Sequence, residues 1–272
     1  MSDLKDTVRD WLPPAVTRWV REHRVNDNRF EGDFGNWEDA RVRCTGYDAE
    51  EILAKVLAAT VEVRRGEAVY ERDSILFDTA EYVWPVTTGL LRVATQNAGR
   101  LSVLDFGGSL GTSYFQNRAI LQAVPRMSWS IVEQSHFVMA GRRHIQDACL
   151  RFYQSIEDCI DEAQPNAILL SSVIQYLEDP LRVLARLSNC GVDMIIIDRT
   201  IINKSGTDRI YVQHVPDSIY RASYPCRSLS ESSLINVFQP RYRLLADFPS
   251  LAFPALRRTK SIFKGYLFER VQ

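Results

Sequence analysis

Between residues 100 and 198, short apolar runs alternate with stretches of helical spacing. Arg100 to Phe106 is a largely apolar run with Asp105 near its end. Trp129-Ser130-Ile131-Val132-Glu133, Leu150-Arg151-Phe152-Tyr153, Ala167-Ile168-Leu169-Leu170-Ser171 and Val192 to Asp198 follow as further strands. Between them, Ser113–Ala123, His136–Asp147 and Pro180–Leu187 keep the helix period. The last strand run, Val192 to Asp198, is continuous in apolar character through Met194–Ile197, as a strand buried on both faces should be. Strands alternating with helices predict an α/β fold, a parallel sheet covered on both sides. Tyr242 to Phe248 and Ile262 to Glu269 then read as two strands with no helix between them, which predicts antiparallel pairing at a sheet edge.

Ahead of this α/β domain (residues 99–272), residues 1–98 read as a helical cap region. Leu4, Val8, Trp11, Leu12, Val16, Trp19 and Val20 keep helical spacing across Pro13-Pro14, where a break or kink is expected. Arg9, Arg18, Arg21 and Arg24 flank this stripe. It suits a helix packed on its own domain better than one docked on a membrane or partner. A second helix is expected from Asp48, where Asp48-Ala49-Glu50-Glu51 has capping-box spacing. A third is expected over Thr79–Thr95, perturbed near its start by Pro85.

Composition leaves this picture intact and removes several function classes. The chain of 272 residues carries a formal net charge of −1, so no global field favours nucleic acid or an anionic membrane. Cys44, Cys149, Cys159, Cys190 and Cys226 are scattered, with no C-x-x-C pair, and suggest neither a zinc site nor a disulfide framework. The charged start Met-Ser-Asp-Leu-Lys-Asp does not resemble a signal peptide, and no apolar run approaches the roughly 20 residues of a membrane span. A cytoplasmic protein without bound metal is expected.

The chemistry concentrates where the first strand meets its helix. In an open parallel sheet, ligands bind at the carboxyl ends of strands, where strand order reverses. Gly107, Gly108 and Gly111 let the backbone turn sharply there and come close to a ligand, and the next helix offers unpaired N–H groups to an anion. The dinucleotide fingerprint G-x-G-x-x-G needs a glycine at 106, where this chain has Phe106. What stands instead is D-x-G-G-x-x-G, with Asp105 two residues before the first glycine. Glu133, with Gln134 beside it, follows the turn by about 20 residues, the distance at which an acid accepts both ribose hydroxyls. Together they suit a nucleoside ligand without pyrophosphate.

Four strings carry a resemblance: Tyr70-Glu71-Arg72-Asp73, Leu104-Asp105-Phe106-Gly107-Gly108-Ser109-Leu110-Gly111, Leu170-Ser171-Ser172-Val173-Ile174-Gln175-Tyr176-Leu177 and Ile197-Asp198-Arg199-Thr200. From about Phe30 onward the chain resembles a bacterial family of class I S-adenosylmethionine-dependent methyltransferases, found partly among surface-polysaccharide (O-antigen) biosynthesis genes. The resemblance implies a Rossmann-like seven-stranded sheet with its last strand antiparallel, and S-adenosyl-L-methionine as cofactor. It implies a carboxylate, Asp105, near the methionine ammonium and an adenine edge by Ser155 and Ile156. Such folds commonly end the fourth strand in an acid, whereas this chain has Ser171-Ser172, with Gln175 and Tyr176 near enough in sequence to substitute; Ser171, Ser172 and Gln175 are accordingly candidates to bind the cofactor.

Acceptor-side candidates follow the fourth and fifth strands. Asp198 and Arg199 end the fifth strand, and His214 supplies an imidazole, the side chain most often used in acid–base work. Tyr176, Tyr220, Arg221, Tyr224 and Arg72 are candidates to recognise a small molecule or glycan. Ser171-Ser172-Val173-Ile174 lacks the Pro-Pro motif of amino-methylating nucleic-acid enzymes, so no nucleic-acid substrate is expected. The leading expectation is O-methylation of a small molecule or glycan precursor. A catalytically inactive binding protein on the same fold and an NAD-linked sugar-modifying enzyme remain as alternatives.

Overall fold

The structure is a computed structural model that describes residues 29–44, 49–215, 222–250 and 261–271. The Leu4–Val20 stripe, Asp48, Tyr220 and Arg221 lie outside the described residues. The chain opens with β1 (Phe30–Phe34), α1 (Trp37–Val42) and α2 (Ala49–Arg65), then the short pair β2 (Tyr70–Arg72) and β3 (Ile75–Phe77), then α3 (Trp84–Gln96). An alternating run follows: β4 (Arg100–Phe106), α4 (Thr112–Leu121), β5 (Arg126–Val132), α5 (Ser135–His144), β6 (Leu150–Tyr153), α6 (Ile156–Ala163), β7 (Ala167–Ser171), α7 (Pro180–Ser188) and β8 (Met194–Asn203). The remainder is β9 (Arg209–His214), β10 (Ser223–Ser230), α8 (Glu231–Asn236), β11 (Tyr242–Pro249) and β12 (Ser261–Arg270).

Seven strands lie side by side in the order β6-β5-β4-β7-β8-β12-β11. The first five are mutually parallel, β12 runs antiparallel to β8, and β11 antiparallel to β12. This is the Rossmann-like class I methyltransferase fold. Three strands extend it: β1 pairs with β9, β9 with β10, and β10 joins the end of β8 through Leu229–Ile202 and Ser230–Asn203. From β4 the chain winds outward to β5 and β6, then returns to β7 on the other flank of β4. The strand order therefore reverses between β4 and β7.

Period-two alternation decides which side of the sheet each residue serves. Leu101, Val103, Trp129, Ile131, Leu169, Met194 and Ile196 enter one core with Val56 of α2, Leu90 of α3, Phe115 of α4 and Val138 of α5. Leu104, Val132, Ile168, Leu170, Ile195 and Ile197 enter the other with Cys159 of α6, Leu184 of α7 and Leu234 of α8. A fully buried side chain of this size contributes about 1.5–3 kcal/mol. The strand ends that carry the chemistry are thus anchored by a core on each face.

Two expectations are corrected. The third helix begins at Trp84 rather than Thr79, with Pro85 in its first turn, where the missing N–H costs no hydrogen bond. The fifth strand of the alternating run does not stop at Asp198 but continues to Asn203 through a bulge. Ile197 pairs with Tyr266 and Thr200 with Lys264, so Asp198 and Arg199 together oppose Gly265, and Arg199 has φ 52°. A Cβ on Gly265 would stand 2.2 Å from the Phe248 ring and 2.8 Å from the Ile197 carbonyl oxygen, so only glycine fits there. Bulges bend a strand and re-aim its side chains. This one re-aims Asp198 and Arg199, level with the carboxyl end of β7.

Candidate functional site

The reversal between β4 and β7 places the glycine turn at the carboxyl edge of the sheet. Gly107 and Gly111 have φ of 70° and 109°, and Ser109 joins them in the left-handed region at 55°. A non-glycine residue held there carries strain of about 1–3 kcal/mol, the kind that collects at ligand sites. A Cβ on Gly107 would stand 2.4 Å from Val173 Cγ2, in the loop that follows β7. On Gly108 it would stand 2.6 Å from the carboxylate of Asp105. The turn is packed as closely as glycine allows.

Asp105 continues the face of Leu101 and Val103, so its carboxylate points into the core and is fully buried. The indole Nε1 of Trp129, on the neighbouring strand, donates to Oδ2 at 3.0 Å, while Oδ1 has no partner. Burial pushes the carboxyl up to about 7; the nearby Glu133 adds to the rise, while the Trp129 bond and Arg199 oppose it. Glu133 follows the end of β5 and accepts the Ser109 N–H at 3.3 Å and the Gln134 N–H at 2.7 Å. It therefore bridges the second strand's end to the glycine turn, and burial raises its pKa as well. Gln134 itself is exposed, at the start of α5. Ser155 caps α6 by accepting the Asp158 N–H at 3.1 Å, and Ile156 lies in the core behind it.

A second group forms where β7 ends beside the bulge of β8. Ser171 Oγ donates to Asp198 Oδ2 at 3.0 Å and accepts from the Arg199 guanidinium at 2.9 Å. Asp198 Oδ1 is buried without a partner. Between Asp198 and Ile202 the β7-facing edge of β8 has no strand beside it, because β7 has ended and β10 has not begun. The 3-10 turn Ile174–Tyr176 fills the gap. Gln175 Nε2 donates from it to the Arg199 carbonyl and to Ser172 Oγ, both at 3.2 Å, and leaves its own Oε1 buried and unpartnered. Thr200 Oγ1 is unpartnered too. Buried polar atoms are ordinarily satisfied. Asp105, Gln175, Asp198 and Thr200, all at one sheet edge, mark where a polar ligand would supply the missing bonds.

Strands β9 and β10 bring the remaining candidates beside this edge. The Tyr176 hydroxyl donates to Gln213 Oε1 at 3.2 Å, and its ring meets Tyr224 edge-on at 5.0 Å. His214 is the next residue on β9, and the pleat turns it to the opposite face. There a ring nitrogen stands 2.9 Å from the Glu31 carboxylate of β1, with the side chain 43% exposed. Arg72 bonds the Tyr70 hydroxyl at 2.8 Å and Glu81 at 3.1 Å, its guanidinium 5.1 Å from the centre of the Phe77 ring.

Sequence reasoning missed Glu71. Strands β2 and β3 form a hairpin whose two-residue turn, Asp73-Ser74, has both φ angles positive, at 54° and 62°. Glu71, 1% exposed, accepts the Thr112 hydroxyl at 2.5 Å and the Ser74 N–H at 3.1 Å. Thr112 is the first residue of α4, immediately after the glycine turn. Burial pushes the Glu71 carboxyl up to about 7, with Arg199 among the groups opposing the rise. The signal available in the sequence was the pair Asp73-Ser74 between two short apolar-ended runs, a hairpin pattern. Among the described residues, no helix is long and apolar enough to cross a membrane.

No protein-family model matches the chain, and no curated protein matches it. Among solved structures, it is similar to the N-terminal domain of EvdMO1 determined with S-adenosylhomocysteine and D-fucose: 17% identity, 83% of this chain and 98% of that one, TM-score 0.44. It is similar to the magnesium protoporphyrin IX methyltransferase of Synechocystis PCC 6803 with bound S-adenosylmethionine: 11% identity, 98% of this chain and 97% of that one, TM-score 0.44. A third is the 1,6-didemethyltoxoflavin-N1-methyltransferase of Burkholderia thailandensis: 14% identity, 84% of this chain and 92% of that one, TM-score 0.41.

Proposed function

We propose that this chain is an S-adenosylmethionine-dependent methyltransferase that O-methylates a small hydroxyl-bearing molecule, a glycan precursor being the class favoured. The observation that carries the reading is the glycine turn at the strand-order reversal, closed onto a fully buried Asp105 with one unpartnered oxygen. Gly107, Gly108 and Gly111 would cradle the cofactor. Asp105 would face its methionine end, Glu133 its ribose hydroxyls, and Gln134, Ser155 and Ile156 its adenine side. When bound, the cofactor supplies a methyl group on a cationic sulfur.

The acceptor would lie over β7 and β8. Asp198 Oδ1 and Gln175 Oε1 can only accept hydrogen bonds, so the ligand that satisfies them must bring donors, as a hydroxyl-rich molecule does. Ser171 and Arg199 fix the Asp198 carboxylate by its other oxygen, leaving Oδ1 to orient an acceptor hydroxyl and take its proton. Tyr176, Tyr224 and Arg72 would form the walls, with Ser172 and Gln175 at the rim. Tyr220 and Arg221 remain candidates on sequence grounds, and His214 would act only on a substrate reaching the Glu31 face of β9. Alignment of the acceptor contributes about 7–11 kcal/mol to such a displacement. A general base adds about 10²- to 10⁴-fold, or roughly 3–5 kcal/mol. Positioning therefore outweighs proton removal.

Methyl-labelled S-adenosylmethionine incubated with the chain and extracted glycan and lipid-linked precursors should yield one labelled product. Asp198→Asn should slow its formation at least about tenfold. Label retained on intact cofactor with every extract would favour the alternative of a binding protein that has lost catalysis, for which Ser171-Ser172 in place of an acid is the motive.

A further inference from the structure

We propose that Glu71, carried in by the β2–β3 hairpin, holds the ammonium of the cofactor's amino-acid end, taking over from the acid that β7 lacks. This rests on the cofactor reading above and adds to it a residue from outside the α/β domain.

Three observations converge on it. The first is position. Glu71 Oε1 lies 2.5 Å from Thr112 Oγ1, and Thr112 follows directly on Gly111, so the carboxylate is one side chain away from the glycine turn. The second is the link to β7. Arg199 acts electrostatically on both Glu71 and Asp105, and its guanidinium is bonded to Ser171, the residue standing where an acid is missing. Arg199 is thus the group common to the two buried acids and to the position where an acid is missing. The third is an unmet requirement. Glu71 has one bond on each oxygen, and Asp105 Oδ1 has none. The Arg199 guanidinium is engaged with Ser171 and Asp198 rather than with either acid. Two buried carboxylates without a directly paired cation call for one from a ligand, and an ammonium with three donors supplies it.

A purely structural role for Glu71, latching the hairpin to α4, makes a different prediction. Calorimetric titration should compare S-adenosylhomocysteine, which has the amino-acid end, with 5′-methylthioadenosine, which lacks it. Glu71→Gln should weaken S-adenosylhomocysteine at least about tenfold and leave 5′-methylthioadenosine within about twofold, since a charge-assisted bond is lost only to the first. Should Glu71→Gln fail to fold, Glu71→Asp, with its shortened reach, should show the same split. Equal weakening of both ligands, or of neither, overturns the assignment. A wild-type chain that binds 5′-methylthioadenosine as tightly as S-adenosylhomocysteine also overturns it. A wild-type chain that binds neither overturns the cofactor reading, and this assignment with it.

Discussion

Gly108→Ala should abolish cofactor binding while leaving a folded protein. The new Cβ would stand 2.6 Å from both Cγ and Oδ2 of Asp105, where no real Cβ contact falls. The carboxylate cannot easily give way, because it is fully buried and its Oδ2 is held by the Trp129 indole. Either the turn lifts off the strand end, or Asp105 swings and strands the indole N–H. An unsatisfied buried donor costs about 1–3 kcal/mol, and overpacking costs a similar amount. A melt should show the stability loss, and titration with S-adenosylhomocysteine should show affinity down at least about 100-fold. Affinity within about threefold of wild type would mean that the turn does not hold the ligand.

The ligand-free protein should lose stability as pH rises from 5 to 8, against the usual expectation for carboxylates. Asp105 and Glu71 both have folded pKa values of about 7, raised from 3.8 and 4.5 by burial, and Glu133 shifts the same way. A raised carboxyl favours the folded state fully below its unfolded pKa, and that advantage disappears as pH climbs through the folded value. Over this window the folded chain holds protons that the unfolded chain has released. At about 1.36 kcal/mol per pKa unit, over the roughly two units between pH 5 and the folded value, each of the two acids accounts for a loss on the order of 2–3 kcal/mol. Glu269, held down to about 2 by Arg243 and Arg92, acts oppositely but only below its unfolded value of 4.5, outside the window. Denaturant titrations at pH 5 and 8 should show the decline, and Asp105→Asn should remove about half of it. The ammonium of the ligand's amino-acid end supplies the missing partner, so S-adenosylhomocysteine should bind more tightly as pH rises through 7. Stability that is flat or rising over this interval would contradict the burial of these acids.

The parts of the fold most legible in the sequence were those whose burial is local and two-sided. Leu150–Tyr153 and Ala167–Ser171 are strands over the residues their apolar runs mark. Strand β8 was read short because Asp198-Arg199-Thr200 interrupts the apolar run, while a bulge opposite Gly265 carries the pairing through. The pattern of Arg209–His214 went unread because Gln213 and His214 look like loop residues. One partner, β1, lies far away in sequence, and the other, β10, follows only after the segment 215–222; their pairing supplies the reason for a strand. The glycine turn was legible because its chemistry is contiguous. The bonds joining Ser171, Gln175 and Arg199, and the Glu71–Thr112 contact, span 24 to 41 residues of chain, and no local pattern announces them.

The central claim is that the Asp105–Gly111 turn and Glu133 together hold an adenosyl ligand without pyrophosphate. Calorimetric titration of the wild-type chain and of Glu133→Ala, with S-adenosylhomocysteine and separately with NADH, tests it most directly. The account predicts one S-adenosylhomocysteine per chain, binding weakened at least about tenfold by Glu133→Ala, and no heat from NADH. NADH binding in place of S-adenosylhomocysteine, or S-adenosylhomocysteine binding that Glu133→Ala leaves unchanged, would contradict it.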